Sequence, residues 1–225
     1  MKDPIFVVAI DGPGGAGKST TARAVAAKLG LSYLDTGALY RCVALRATEN
    51  AVQLDDGAQL AAIARSLDVR FEAGSNRVSL GGRDVTQEIR TPEISQSASK
   101  VSALPAVRES LVDLQRRSAR GPGTVAEGRD MGTVIFPNAQ LKVFLDATVN
   151  ERARRRVVDL RGLGRPDAIE EVRSQLEERD ARDSARAVAP LRQAPDALVL
   201  DTTNLAFEEV VDRIVAEARL RGIGK

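Results

Sequence analysis

The 225-residue chain contains no histidine, and that absence removes more chemistry than any other feature of its composition. Ser-His-Asp hydrolysis, imidazole acid–base work and His-ligated zinc are all excluded. A single cysteine, Cys42, forbids an intrachain disulfide and points to a reducing compartment. Cys42 sits in the apolar helical run ALYRCVAL, where it reads as a buried core thiol rather than a nucleophile. Aromatic residues make up only 3% of the chain, which leaves few faces for stacking bases and argues against a nucleic-acid-binding module. Charge of one sign is also missing, because 33 basic and 31 acidic residues leave a formal charge of +2. No apolar run approaches the roughly 18 residues of a membrane helix, and no signal-peptide pattern precedes MKDPIFVVAIDG. The expected location is therefore the cytoplasm. Carboxylates, lysine, arginine, hydroxyls and backbone amides must carry whatever chemistry occurs.

What is present is enough for one good core with a small appended subdomain. The chain opens as strand, loop and helix. PIFVVAI is a short continuous apolar run, as expected of a strand buried on both faces of a parallel sheet. DGPGGAG is turn chemistry, and KSTTARAVAAKLG is helical, closing on Gly30. LSYLDTG reads as a second strand, followed by a helix through ALYRCVALRATEN. Further parallel strands are expected at 123–130, 141–148 and 196–203, with helices at 149–160, 168–187 and about 206–221. Strands alternating with helices imply a doubly wound α/β fold. Between about 67 and 87, short alternating segments broken at Gly74–Asn76 and Gly81–Gly82 predict a small antiparallel meander inserted into that scheme.

The segment GPGGAGKS satisfies G-x-x-x-x-G-K-[ST] with Gly12, Gly17, Lys18 and Ser19, and it lies between a buried-type strand and a helix start. Its glycines let successive N–H groups curl around phosphate oxygens, to which the helix dipole adds partial positive charge. Lys18 is placed to bridge β- and γ-phosphates, and the Ser19 hydroxyl to ligate Mg²⁺. The expected phosphate cradle comprises Gly12, Pro13, Gly14, Gly15, Ala16, Gly17, Lys18, Ser19 and Thr20. No guanine-reading N-K-x-D is present, which argues against a GTPase switch.

Arginine is concentrated further on. Residues 152–192 hold 11 of the chain's arginines, about twice what even spreading would place there. The octet RDARDSAR (179–186) contains Arg179, Arg182, Asp183 and Arg186, which recur at i, i+3, i+4 and i+7 and would share one helical face. That face reads either as ordinary salt bridges or as a guanidinium cluster for an anion. Arginine forks bind phosphate bidentately, and a cluster on a helical hairpin suits the spread charge of phosphoryl transfer. RGLGRPD (161–167) would be the tip of such a lid.

Four segments in order, AIDGPGGAGKST, YLDTGALYR, EGRDMGTVIFP and ERDARDSARAVAP, resemble those of the bacterial cytidylate (CMP) kinases, over about residues 5–205. The resemblance implies a P-loop nucleoside monophosphate kinase fold: a five-stranded parallel sheet flanked by helices, with an antiparallel β-containing insert and a helical lid. The core would span about 1–36, 109–150 and 190–225, the insert about 37–108, and the lid about 151–189. The implied reaction is transfer of the ATP γ-phosphoryl group to CMP or dCMP with Mg²⁺, by a monomer that binds neither nucleic acid nor membrane. Lys18, Arg129, Arg179 and Arg182 would be catalytic, and Arg156 would join the ATP site. Thr36, Arg41, Ser99, Arg108, Arg129, Asp130, Arg179, Asp183 and Arg186 would bind the acceptor. Among these Asp130 would accept from the cytosine amino group, Arg108 would donate to the opposite edge, and Asp183 would reach ribose hydroxyls. Ser19 and Glu127 would support Mg²⁺, Glu127 standing where aspartate is common and Thr36 where serine is. Duller readings make Arg129 and Asp130 capping residues and Arg108 a surface helix residue. The alternatives in function are a P-loop kinase of another small acceptor, such as a different nucleoside monophosphate or shikimate, and a non-catalytic nucleotide-dependent switch.

Overall fold

A computed structural model describes residues 5–72, 75, 77–119, 121–162, 164 and 167–223. Its centre is β1 (Phe6–Asp11), an apolar strand whose residues after Phe6 are all buried. The strand is buried on both faces because helices follow the strands on either side, as parallel crossovers require. After it come α1 (Lys18–Leu29), β2 (Ser32–Asp35) and α2 (Thr36–Glu49). Helix α1 stops where Gly30 turns left-handed at φ 66° and its N–H returns to Ala26 and Ala27 carbonyls, as the sequence predicts. Helix α2 starts where the Asp35 carboxylate accepts the Ala38 N–H at 3.0 Å.

Next come α3 (Gly57–Arg65), β3 (Val69–Phe71), β4 (Val78–Leu80), β5 (Arg83–Asp84), α4 (Pro92–Val101) and α5 (Pro105–Ser118), which cover most of the expected insert and run ten residues past its expected end at 108. The three strands form the expected antiparallel meander in the order β3-β4-β5. Gly81 and Gly82 make its second turn at φ 59° and 81°, while residues 74 and 76 of the first lie outside the described residues. Helices α4 and α5 both begin on proline, whose fixed φ and missing N–H suit a first turn. The meander packs its buried Val78 and Leu80 with Leu39, Val43, Leu60, Ile89 and Leu111 into a hydrophobic core distinct from that of the parallel sheet.

The chain then returns to the sheet with β6 (Gly123–Glu127) and β7 (Leu141–Asp146), and forms a hairpin of α6 (Val149–Gly162) and α7 (Ile169–Ser184). It finishes with β8 (Leu198–Asp201) and α8 (Phe207–Leu220). All five strands of the main sheet are parallel, in the order β2-β6-β1-β7-β8. Val8 stands beside Val125 on one side and Leu141 on the other.

Several expected boundaries shift, the strands expected over 141–148 and 196–203 being Leu141–Asp146 and Leu198–Asp201. The strand expected over 123–130 stops at Glu127, because the Asp11 carboxylate draws the Met131 and Gly132 N–H groups into a π turn at Met131–Ile135. The helix expected over 168–187 stops at Ser184, where the chain folds back and Leu191 N–H donates to Asp183 O at 2.8 Å. Arg186 therefore lies beyond the helix rather than on its face. Of the expected lid tip, residues 163, 165 and 166 lie outside the described residues.

The phosphate-loop motif leaves β1 at its carboxyl end, between β6 and β7, where open parallel sheets bind their ligands. Gly12 takes φ 148° and passes so close to β7 that a Cβ would lie 2.0 Å from Leu145 O. Gly12→Ala must therefore displace strand or loop. A loss of at least about 1–3 kcal/mol is expected in urea unfolding. Gly57→Ala, at a site with open space, should be neutral or slightly stabilising in the same measurement.

Candidate active site

The P-loop wraps the amino end of α1 beside a cavity of about 630 Å³. Gly14, Gly15, Ala16, Gly17, Lys18, Ser19 and Thr20 line it, and Gly15 and Gly17 hold left-handed φ values of 78° and 84°. Lys18 folds back over the loop, and its Nζ donates to Pro13 O at 2.6 Å. Burial pushes its pKa well down, and the nearby Arg129 and Arg179 push the same way against Glu127 and Asp11. An ammonium so enclosed gains from any anion that enters.

Opposite the loop, the same cavity is bounded by Asp35, Arg41, Glu127, Arg129, Arg156 and Arg179. Glu127 ends β6 buried, and its Oε1 accepts the Tyr33 hydroxyl at 2.7 Å. Ser19 and Glu127 both line this space. An oxygen-only pair of this kind fits a hard divalent cation that keeps waters and substrate phosphate as its remaining ligands.

A narrow chamber of about 50 Å³ opens behind, between α2, α5 and the 128–130 bend. Arg108 and Asp130 form its far wall. Arg108 is not a surface residue: it is 3% exposed, donates to Asp130 Oδ2 at 2.5 Å and Ser102 O at 3.1 Å, and lies 5.4 Å from the Tyr40 ring centroid. The Asp130 side chain does not cap the π turn that follows it. Thr36 is fixed by donating its hydroxyl to Glu127 O at 2.7 Å, and Arg41 by Asp35 Oδ2 at 3.1 Å. Gly128 has no room for a side chain, since a Cβ would lie 2.8 Å from Thr36 Oγ1 and 2.6 Å from Met131 Cε.

Asp183 organises the near wall. Its carboxylate accepts Arg129 Nε at 2.8 Å, pairs closely with Arg186 Nη2, and has Arg179 Nε at 3.9 Å. The octet thus makes an i,i+4 and an i,i+3 pair turned inward around the Asp183 carboxylate. Burial alone would push the Asp183 carboxyl up, but Arg129, Arg186 and Arg179 outweigh it and hold it below the usual carboxylate range. Removal from water and the neighbouring Arg129 lower the Arg179 pKa to about 9. Arg186 Nε and Nη1 and Arg108 Nε are buried without a partner among the described residues.

Two expected site residues, Ser99 for the acceptor and Arg182 for catalysis, lie elsewhere. Ser99 and Arg182 meet through Arg182 Nη1 and Ser99 Oγ at 2.6 Å. They line an adjoining cavity of about 230 Å³ between α4 and the lid hairpin, which Arg156 and Arg179 also border. Four residues at the site were not singled out in the sequence. Asp35 and Asp11 flank the expected residues directly, Asp11 preceding Gly12 and Asp35 preceding Thr36. Asp11 accepts two backbone N–H groups of the 131–132 turn at 2.8 Å each, and burial raises its carboxyl pKa to about 6. Arg152 and Asp180, discussed below, belong to the arginine-rich segment but show no signal that separates them from its solvated charges.

A phosphate loop at the end of a central parallel strand, with an arginine-rich helical hairpin across it, defines a P-loop protein of the kinase type. The chain belongs to the cytidylate kinase family, whose model, described as Cytidylate kinase, matches residues 8–220. It is 50% identical over 212 residues to a cytidylate kinase of Methylococcus capsulatus, covering 94% of this chain and 96% of that protein. It is 48% identical over 208 residues to the cytidylate kinase of Pasteurella multocida, covering 92% of each. A bifunctional pantoate ligase/cytidylate kinase of Synechococcus sp. (strain JA-2-3B'a(2-13)) is 49% identical over 93% of this chain, which spans only 40% of that relative's length.

The ring around Asp183 has a pH signature. Its folded pKa lies below the unfolded value of 3.8, so its stabilisation is present above that pH and is lost as pH falls through the folded value. Asp183→Asn should therefore cost about 3–5 kcal/mol in urea unfolding near neutral pH. The difference from wild type should shrink as pH falls below 3.8 and through the lower folded value. A gap that is constant with pH would show that the charge of Asp183 is not what holds the ring.

Proposed function

We propose that the chain transfers the γ-phosphoryl group of ATP to the phosphate of CMP and dCMP. The observation that carries this reading is the chamber behind the P-loop cavity: a cationic, desolvated space walled by an Arg108–Asp130 pair, with buried N–H donors of Arg108 and Arg186 left without partners. Buried donors are normally satisfied, so these await a ligand with acceptor atoms. A cytosine ring offers an amino donor toward Asp130, and N3 and O2 acceptors toward the free guanidinium N–H groups. Uracil would set its O4 lone pairs against the Asp130 carboxylate, a mismatch worth about 1–3 kcal/mol and more for a charge.

The ATP phosphates would lie on the amides of residues 15–20, with Lys18 leaving Pro13 O for the β- and γ-oxygens. Arg129 and Arg179, on the common wall of the two compartments, reach the phosphoryl group in transit. Arg156 faces the donor cavity, and Thr36 and Arg41 frame the acceptor's path. Asp183 orders the guanidinium ring and meets the ribose side of the acceptor. Ser19 and Glu127 would hold Mg²⁺, which supplies charge neutralisation at the β- and γ-phosphates. Arg182, paired with Ser99, closes the lid against α4. The acceptor is a phosphate monoester with a second pKa of about 6, already ionised at neutral pH, so a chain without histidine lacks nothing it needs. Catalysis reduces to alignment and neutralisation of charge.

The cytoplasm is the proposed location. Among the described residues no helix is long and apolar enough to cross a membrane. We further propose that it works as a monomer on free nucleotides, without nucleic acid.

ADP release with Mg-ATP should be strong with CMP and dCMP and weak with UMP, AMP, GMP, shikimate and a blank without acceptor. Silence with every acceptor despite ATP binding would favour the nucleotide-dependent switch. Lys18→Ala should lower kcat by about 10²–10³-fold or more while the fold survives, read by circular dichroism alongside turnover. Asp130→Ala should narrow the CMP/UMP preference in kcat/KM, and an unchanged ratio would remove Asp130 from base reading.

A further inference from the structure

We propose that Asp180 is a positioning residue that couples donor to acceptor binding, by fastening the acceptor-side helix to the phosphate loop. The proposal rests on the kinase reading above. Leu176, Arg179, Asp180 and Asp183 recur at i, i+3, i+4 and i+7 and share one face of α7. Arg179 and Asp183 look toward the acceptor chamber. Leu176 and Asp180, one turn apart from each other, look toward the P-loop. The Leu176 Cδ2 atom lies 3.2 Å from where a Cβ of Gly14 would be, so the helix packs directly on the loop.

Asp180 divides its carboxylate between the two. Oδ1 accepts the Gly14 N–H at 3.2 Å, and Oδ2 accepts Arg152 Nη1 at 2.5 Å. Arg152 in turn donates from Nη1 to Gly14 O at 2.9 Å and from Nε to Ala147 O at 2.9 Å. Both polar groups of the Gly14 backbone are therefore held by side chains of the α6–α7 hairpin. Arg152 is buried and anchored at the foot of α6, which makes the clamp stiff. Gly14 is a phosphate-cradle residue on the donor cavity, and Arg179 and Asp183 wall the acceptor chamber from the same helix. A ligand that seats either end sets the other through Asp180.

Such a link is a coupling free energy, equal in both directions. The test measures CMP affinity by calorimetry with and without a non-hydrolysable Mg-ATP analogue, in the wild type, Asp180→Ala and Asp180→Asn. In the wild type the analogue should tighten CMP by at least 5-fold, within the usual range of about 5–150-fold. In Asp180→Ala that ratio should collapse to within 2-fold, while CMP affinity without the analogue stays within about 3-fold of wild type. Asparagine keeps an acceptor for Gly14 N–H but loses the charge opposite Arg152, so Asp180→Asn should retain an intermediate ratio. A merely structural role would weaken CMP equally with and without the analogue. An unchanged ratio in either variant, or a wild type whose ratio is 1, would overturn the proposal. A wild type that binds both nucleotides but transfers no phosphoryl group would instead overturn the kinase reading.

Discussion

Phosphoryl transfer needs several positive groups within reach of one phosphate, and before the substrate arrives those groups repel each other. Two unit charges about 4 Å apart interact with about 4 kcal/mol at an effective dielectric of 20. The protein resolves this with one buried carboxylate. Asp183 draws Arg129 from the bend after β6, Arg179 from its own helix and Arg186 from the segment beyond it. Three guanidiniums against one carboxylate still leave the ring positive, and Lys18 feels both Arg129 and Arg179 from across the cavity. The ring is thus ordered enough to persist and charged enough to attract. The surrounding fold serves that arrangement: β1 delivers the P-loop, β6 delivers Glu127 through Asp130, and the α6–α7 hairpin brings the remaining arginines over both.

Much of this is legible in the sequence, because the relevant signals are local. GPGGAGKS demands left-handed glycines between a strand and a helix, and Gly15 and Gly17 take them. Continuous apolar runs mark the buried parallel strands, and Gly30 marks the end of α1. Of the candidate site residues, Arg41, Arg108, Asp130, Asp183 and Arg186 meet around the small chamber although they come from four separate stretches of chain. What is not legible depends on distance through space. The strand at 123 ends early because a carboxylate of another strand, Asp11, captures two amides, and nothing in GRDMGTVIFP announces it. Helices α3 and α4 escape the pattern because their stability comes from packing in the insert's own core. Asp180 and Asp183 each directly follow an arginine in the same octet. Only the fold shows that one faces a backbone amide of the P-loop and the other a ring of arginines.

On the proposed reading, the Arg108–Asp130 pair lets a reader of bases sit deep in the protein. Each partner is almost wholly buried, and an isolated charge there would be costly; paired, neither is isolated. On that reading a cytosine that enters would exchange hydrogen bonds with groups already in place, and would find further donors on Arg108 and Arg186 that have no partner among the described residues. Binding therefore adds little ordering of side chains, and the energy is concentrated in matching donors to acceptors. A base with its pattern reversed meets the same fixed groups and cannot turn them around, because Arg108 is also tied to Ser102 O and stacked near Tyr40. A mismatch of about 1–3 kcal/mol corresponds to roughly 5–150-fold in affinity. Rigidity in the reader, rather than additional contacts, is what converts that difference into selectivity.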